Sequence, residues 1–107
     1  MKSPRACRNL TDIRAAVNAI DREIVKLLGK RTRYAEAAFQ FKTGRKSIGN
    51  PAHRKIVFAQ RKAWARQFGV NEKMLQKVYL AILNESRRIH LAAFRKRRLR
   101  SGGITRA

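Results

Sequence analysis

The residues of this chain that could do chemistry are cations set among apolar side chains. Arg31 falls between Leu27/Leu28 and Tyr34/Ala35, in a slot where a helix face should be apolar. Arg14 lies near Val17 at the start of the same stripe, and Lys42 lies at its end. Long basic side chains in such places either snorkel their heads to water or converge on an anion. Arg31 and Lys42 are eleven residues apart. On a continuous helix they would point within about 20° of each other, some 16 Å apart along the axis, close enough to reach around a small anion. Arg14 and Arg31 would be about 25 Å apart, which no small ligand bridges within one chain. If Arg14 serves the same site, it must come from an antiparallel partner. Farther on, Ser86 and His90 stand at i and i+4 within the stripe Tyr79, Ile82, Ile89 and Ala93. A lone histidine on an apolar face is either a packed core residue or a hydrogen-bonding group of a site. Metal binding needs at least three ligands near one another. His53 and His90 with six carboxylates suggest no such set, and the single Cys7 excludes an intrachain disulfide or a cysteine zinc cage.

The elements that must position these residues are helices. From Leu10 to Phe41 apolar residues recur every three or four positions: Leu10, Ile13, Val17, Ile20, Ile24, Leu27/Leu28, Tyr34, Ala38 and Phe41. Thr11 is the expected N-cap, with Asp12 at the first helical position, and Gly44 is the expected stop. Thr43 to Asn50 is then a polar, basic loop. A second helix is predicted from Pro51 to Phe68, capped by Asn50 and ended by Gly69, with Pro51 suited to the first position. Asn71 caps a third helix, with Val70 and Leu75 placed as a hydrophobic staple. That helix is expected to fray at Arg95 into a basic run, and Gly102 and Gly103 mark a loose tail. No alternating strand pattern occurs. The reading is thus all-α: a helical domain over residues 1–94 and a basic C-terminal tail over 95–107.

Length argues for assembly. A helix from Thr11 to Lys42 spans about 48 Å. A globule of 107 residues has a diameter of only roughly 33–35 Å. The apolar stripe continues nearly to the end of the helix, so a second chain must bury the excess, and a symmetric dimer is the commonest solution.

Lys and Arg total 27 against 6 Asp and Glu, a net charge of +21, which raises affinity for polyanions and for small anionic substrates alike. The basic residues are spread over all three helices and the loops. Aromatics are 7% and sit mostly in the stripes, so no stacking platform for nucleic acid shows. Nucleic-acid contact is expected only non-specifically, through charge. No apolar run approaches the ~20 residues of a membrane span. Met1 to Asn9 is polar and basic with no apolar h-region, so no secretory signal is predicted and a reducing cytoplasm is the default location.

The segments Leu10-Thr11-Asp12-Ile13-Arg14, Ile20-Asp21, Ile24-Val25, Leu28-Gly29-Lys30-Arg31, Tyr34, Ala37-Ala38 and Phe41-Lys42 resemble the all-helical chorismate mutase family. Within it they look most like the isochorismate pyruvate lyases that make salicylate. Met1-Lys2-Ser3-Pro4 with Cys7, then Pro51 with Arg54, Arg61, Trp64-Ala65 and Gly69, extend the resemblance over residues 1 to 93. It implies a three-helix chain in an intertwined homodimer with two equivalent sites. It also implies pericyclic cleavage of isochorismate to salicylate and pyruvate, with a weak chorismate-to-prephenate rearrangement allowed beside it. No cofactor, metal or nucleophile is required. Catalysis then rests on holding a flexible dianion in a reactive shape and stabilising charge at the breaking ether bond.

Carried over by resemblance, Arg31 binds one substrate carboxylate through a bidentate fork, and Arg14 of the partner chain binds the other. Lys42 donates to the ether oxygen and the pyruvyl end. Arg54 clamps the ring side and Thr43 to Asn50 forms a lid. From its place one turn before His90, Ser86 is expected to bind substrate as well. Two positions depart from the family pattern. His90 stands where a glutamine donor is usual and is expected to act as the catalytic donor in its place, and Lys55 stands where mutases carry a carboxylate after the second-helix arginine. The latter leans toward the lyase. Chorismate mutase activity and a basic polyanion-binding helical protein remain the alternatives. The run Arg95 to Arg100 has no place in the lyase mechanism.

Overall fold

The computed structural model describes residues 2–42 and 48–106, with side chains to residue 100. Three α-helices, α1 (Leu10–Ala38), α2 (Pro51–Phe68) and α3 (Glu72–Arg106), account for nearly all of it, with short 3₁₀ turns at Pro4–Ala6 and Phe39–Phe41. Among the described residues there is no strand. The chain divides into two compact units, Met1–Tyr34 and Ala35–Ala107, and the boundary falls within α1.

The first unit is α1 up to Tyr34 and the segment that leads into it. The Asn9 side chain accepts a hydrogen bond from Asp12 N at 2.8 Å, and Ile13 N closes on Asn9 O at 3.3 Å. The N-cap is therefore Asn9, not Thr11. Asp12 sits three residues into the structure so capped and reaches back, accepting from Arg8 N at 3.0 Å and Lys2 Nζ at 3.3 Å. An acid in the first turn also suits the positive end of the helix dipole. No residue of α1 is buried. Ile13, Val17, Ile20, Ile24 and Leu28, spaced as an interior stripe, are each between 38% and 50% exposed.

The second unit is built on the hairpin of α2 and α3. Asn50 accepts from Ala52 N at 2.9 Å and His53 N at 3.3 Å, so the expected cap and the Pro51 start are both present. Gly69 ends α2 in the left-handed region at φ 70°, and Val70 N reaches back to Ala65 O at 2.8 Å, a Schellman closure. Asn71 caps α3 by accepting from Met74 N at 2.9 Å. Arg66 Nε and Lys62 Nζ meet Glu72 at 2.5 and 3.9 Å across the turn. The Arg61 guanidinium lies over the Trp64 and Tyr79 rings, at 4.7 and 5.4 Å from their centroids. Ile48, Val57 and Ala65 are buried, together with His90.

Two boundaries differ from expectation. α1 stops at Ala38 and tightens into the 3₁₀ turn before reaching Lys42. α3 passes Arg95 without fraying and runs on to Arg106. Cations at a helix C-terminus complement its dipole, which offsets part of their mutual repulsion.

Candidate active site

Lys42 follows the 3₁₀ turn on extended backbone, φ −86° and ψ 120°, and its N–H donates to Phe39 O at 2.9 Å. The helical projection that aligns Lys42 with Arg31 therefore fails over the last turn, because Lys42 lies beyond the helix. The half-buried Lys42 is held from α3: Arg97 Nη2 donates to Lys42 O at 3.0 Å. The same guanidinium lies 4.6 Å from the Phe39 ring centroid and 5.8 Å from that of Phe94.

His90 is the buried polar residue of this region, 8% exposed. Its Nε2 is 2.6 Å from Ala35 O, and its ring tilts against Phe39 with centroids 5.9 Å apart. A carbonyl oxygen only accepts, so Nε2 carries the proton and donates. His90 thus ties α3 to the last turn of α1, while the Nε2–H that could point at a ligand is committed to a backbone carbonyl.

Arg54, in the first turns of α2, is half-buried and donates from Nη2 to Asn84 Oδ1 of α3 at 2.6 Å. A guanidinium has five donors. One bound to an amide oxygen is oriented and keeps others to offer. Ser86 Oγ donates to Ile82 O at 3.2 Å, the back-bond of a helical serine. Arg14 is exposed and Arg31 half-buried on the α1 part of the first unit. Of the expected lid, residues 43–47 lie outside the described residues. Its far end is anchored. Ile48 is buried, and Gly49, at φ 66°, lies so close under the Arg87 side chain that a Cβ would sit 2.9 Å from Arg87 Cδ.

The second unit therefore brings Lys42 and His90 onto one structure around the Phe39 ring, and fixes Arg54 from α3. Sequence reasoning missed Asn84, Phe39 and Arg97. A signal for Arg97 existed: His90, Phe94 and Arg97 are spaced i, i+4, i+7, one face of a helix. It was hidden in a run of like residues.

This arrangement offers cationic donors on short, braced segments. Such a set can bind carboxylates and stabilise charge as it develops on oxygen. Residues 13–91 match the chorismate mutase type II family. The chain belongs to that family. The isochorismate pyruvate lyase of Pseudomonas aeruginosa is 33% identical over 84 residues, covering 78% of this chain and 83% of that protein. The chain is an enzyme of the chorismate mutase/pyruvate lyase type. All six candidate site residues lie inside the span matched by the family; Arg97 lies outside it.

Proposed function

We propose that this enzyme cleaves isochorismate to salicylate and pyruvate, as a homodimer. The observation that carries the reading is its 33% identity, over most of both chains, to a protein that bears that activity in its name. Lys55 beside Arg54 supports it further, since the mutases that this sequence resembles carry a carboxylate there. The balance of the reaction suits a site made of cations. The ether C–O bond breaks, one ring hydrogen moves to the enolpyruvyl CH₂ to give the methyl group of pyruvate, and the ring becomes aromatic. No water, electron or external proton is consumed. The protein's task is to fold a flexible dianion so that hydrogen and methylene meet, and to stabilise the charge growing on the departing oxygen.

In this reading Arg31 and the partner's copy of Arg14 take the two carboxylates, Lys42 donates to the ether oxygen, and Arg54 bounds the ring side. Ser86, one turn before His90 on α3, contributes to substrate binding. For His90, the bond to Ala35 favours a positioning role over direct donation to substrate. The dimer is supported by the exposed apolar stripe of α1, which is unburied along its whole length.

The test is incubation of the enzyme with isochorismate and with chorismate, followed by product identification. Salicylate and pyruvate in equal amounts from isochorismate are expected. Prephenate from chorismate, without salicylate from isochorismate, would make it a mutase instead.

A further inference from the structure

The run Arg95 to Arg100, which has no task in the sequence reading, contains one arginine unlike its neighbours. Arg97 stacks over Phe39 and Phe94 and donates to the backbone carbonyl of Lys42. One helical face of α3 thus grips the segment 35–42 twice: His90 holds Ala35 at one end, and Arg97 holds Lys42 at the other. Between them Phe39 supplies the ring on which both lean. Only a guanidinium can do this, because it is planar enough to stack and still presents donors at its rim; a lysine ammonium is a compact point charge without that fork.

We propose that Arg97 is a positioning residue that sets the backbone of Lys42, so that the Lys42 ammonium is preorganised before substrate arrives. The proposal rests on the reading that Lys42 meets the charge developing on the substrate. A donor held in place in advance needs no reorganisation during the reaction, and a misplacement of about 1 Å can cost on the order of a hundredfold in rate. Arg97 touches no reacting atom. It acts through Lys42, across the 3₁₀ turn, from beyond the span that the family shares.

The experiment uses the full chain with Arg97→Ala and Arg97→Lys, and Arg98→Ala as a control that removes an exposed charge from the same run. Amide hydrogen exchange over residues 39–42 reads the grip without any activity. Steady-state kinetics on isochorismate, repeated in a Lys42→Ala background, read its consequence. Arg97→Ala should speed exchange over 39–42 and lower kcat by roughly tenfold to a hundredfold, with KM within about twofold. Arg97→Lys should not rescue it, Arg98→Ala should leave both unchanged, and the kcat loss should vanish once Lys42 is alanine. Unchanged exchange in both Arg97 variants would overturn the grip. Faster exchange with an unaltered kcat, or an undiminished loss in the Lys42→Ala background, would overturn the positioning of Lys42. An unsubstituted enzyme that forms no salicylate would instead sink the proposed reaction, while the exchange data still judge the grip.

Discussion

At Lys42 the backbone is pinned from both sides, by its own N–H to Phe39 O and by Arg97 to its carbonyl. A cation so fixed contributes most where charge appears late. Lys42→Ala is therefore expected to lower kcat by on the order of a hundredfold or more, with a smaller change in KM. A normal kcat with a raised KM would mean that Lys42 only attracts substrate. His90 presents the opposite case, a polar group whose donor is already used. His90→Leu keeps bulk but deletes a bond to Ala35, and a typical internal hydrogen bond contributes about 0.5–1.5 kcal/mol. Thermal melts should show a destabilised protein, and kcat should fall with it because the Lys42 segment loosens. His90→Gln, which retains a donor, should stay closer to the parent in both. A His90→Leu protein that melts higher and turns over normally would remove His90 from any role.

At the scale of elements, Glu72 joins the start of α3 to the end of α2. The hydrogen bond from Arg66 above all holds its carboxyl below the ordinary value of 4.5; desolvation opposes it, and the charges of Arg66 and Lys62 add lesser pulls downward. A depressed folded-state pKa means stability that is present above the unfolded value and lost as pH falls through the folded one. Glu72→Gln should therefore melt slightly below the parent at pH 7, with the gap closing as pH falls below the ordinary carboxyl value of 4.5. A gap independent of pH would assign the effect to something other than the ionised pair.

The same elements show what was readable in advance. The bounds of α2 were legible because Asn50-Pro51 and Gly69 are chemically unambiguous punctuation. The start of α1 was misread by two residues because Asn9 and Thr11 can both cap, and only the Asp12 contacts decide between them. Its end was misread because a 3₁₀ turn continues an apolar pattern almost in phase, and this carried the Arg31–Lys42 alignment with it. The all-α class followed from periodicity, and the basic residues inside the stripe stand as proposed site residues. The tie from His90 to Ala35 and the choice of Arg97 over four like neighbours depend on contacts 55 residues apart in the chain, which periodicity does not encode.

At the scale of the whole molecule, the proposed dimer has a consequence that separates it from a monomeric site. Arg14 is expected to act in trans. Arg14→Ala and Arg31→Ala chains, each inactive alone, should regain up to about half of the parent activity per heterodimer when their subunits are exchanged, because two-fold symmetry gathers both lesions in one site and leaves the other intact. Verified exchange without recovery would mean that both arginines serve one chain's site.

The hinge residue between α2 and α3 holds a last consequence, one of handedness. Gly69 has φ 70°, and a side chain built there in the L configuration would touch nothing within 4 Å. Any cost of Gly69→Ala is therefore in the backbone alone, roughly 1–2 kcal/mol for a left-handed L-residue. The mirror-image amino acid has its own minimum where Gly69 already sits. D-alanine introduced at 69 by semisynthesis should thus raise stability by about 0.4–1 kcal/mol, through the freedom it removes from the unfolded chain. Denaturant melts of the glycine, L-alanine and D-alanine proteins should rank D-alanine above glycine above L-alanine; equal loss from both alanines would point to contact rather than chirality.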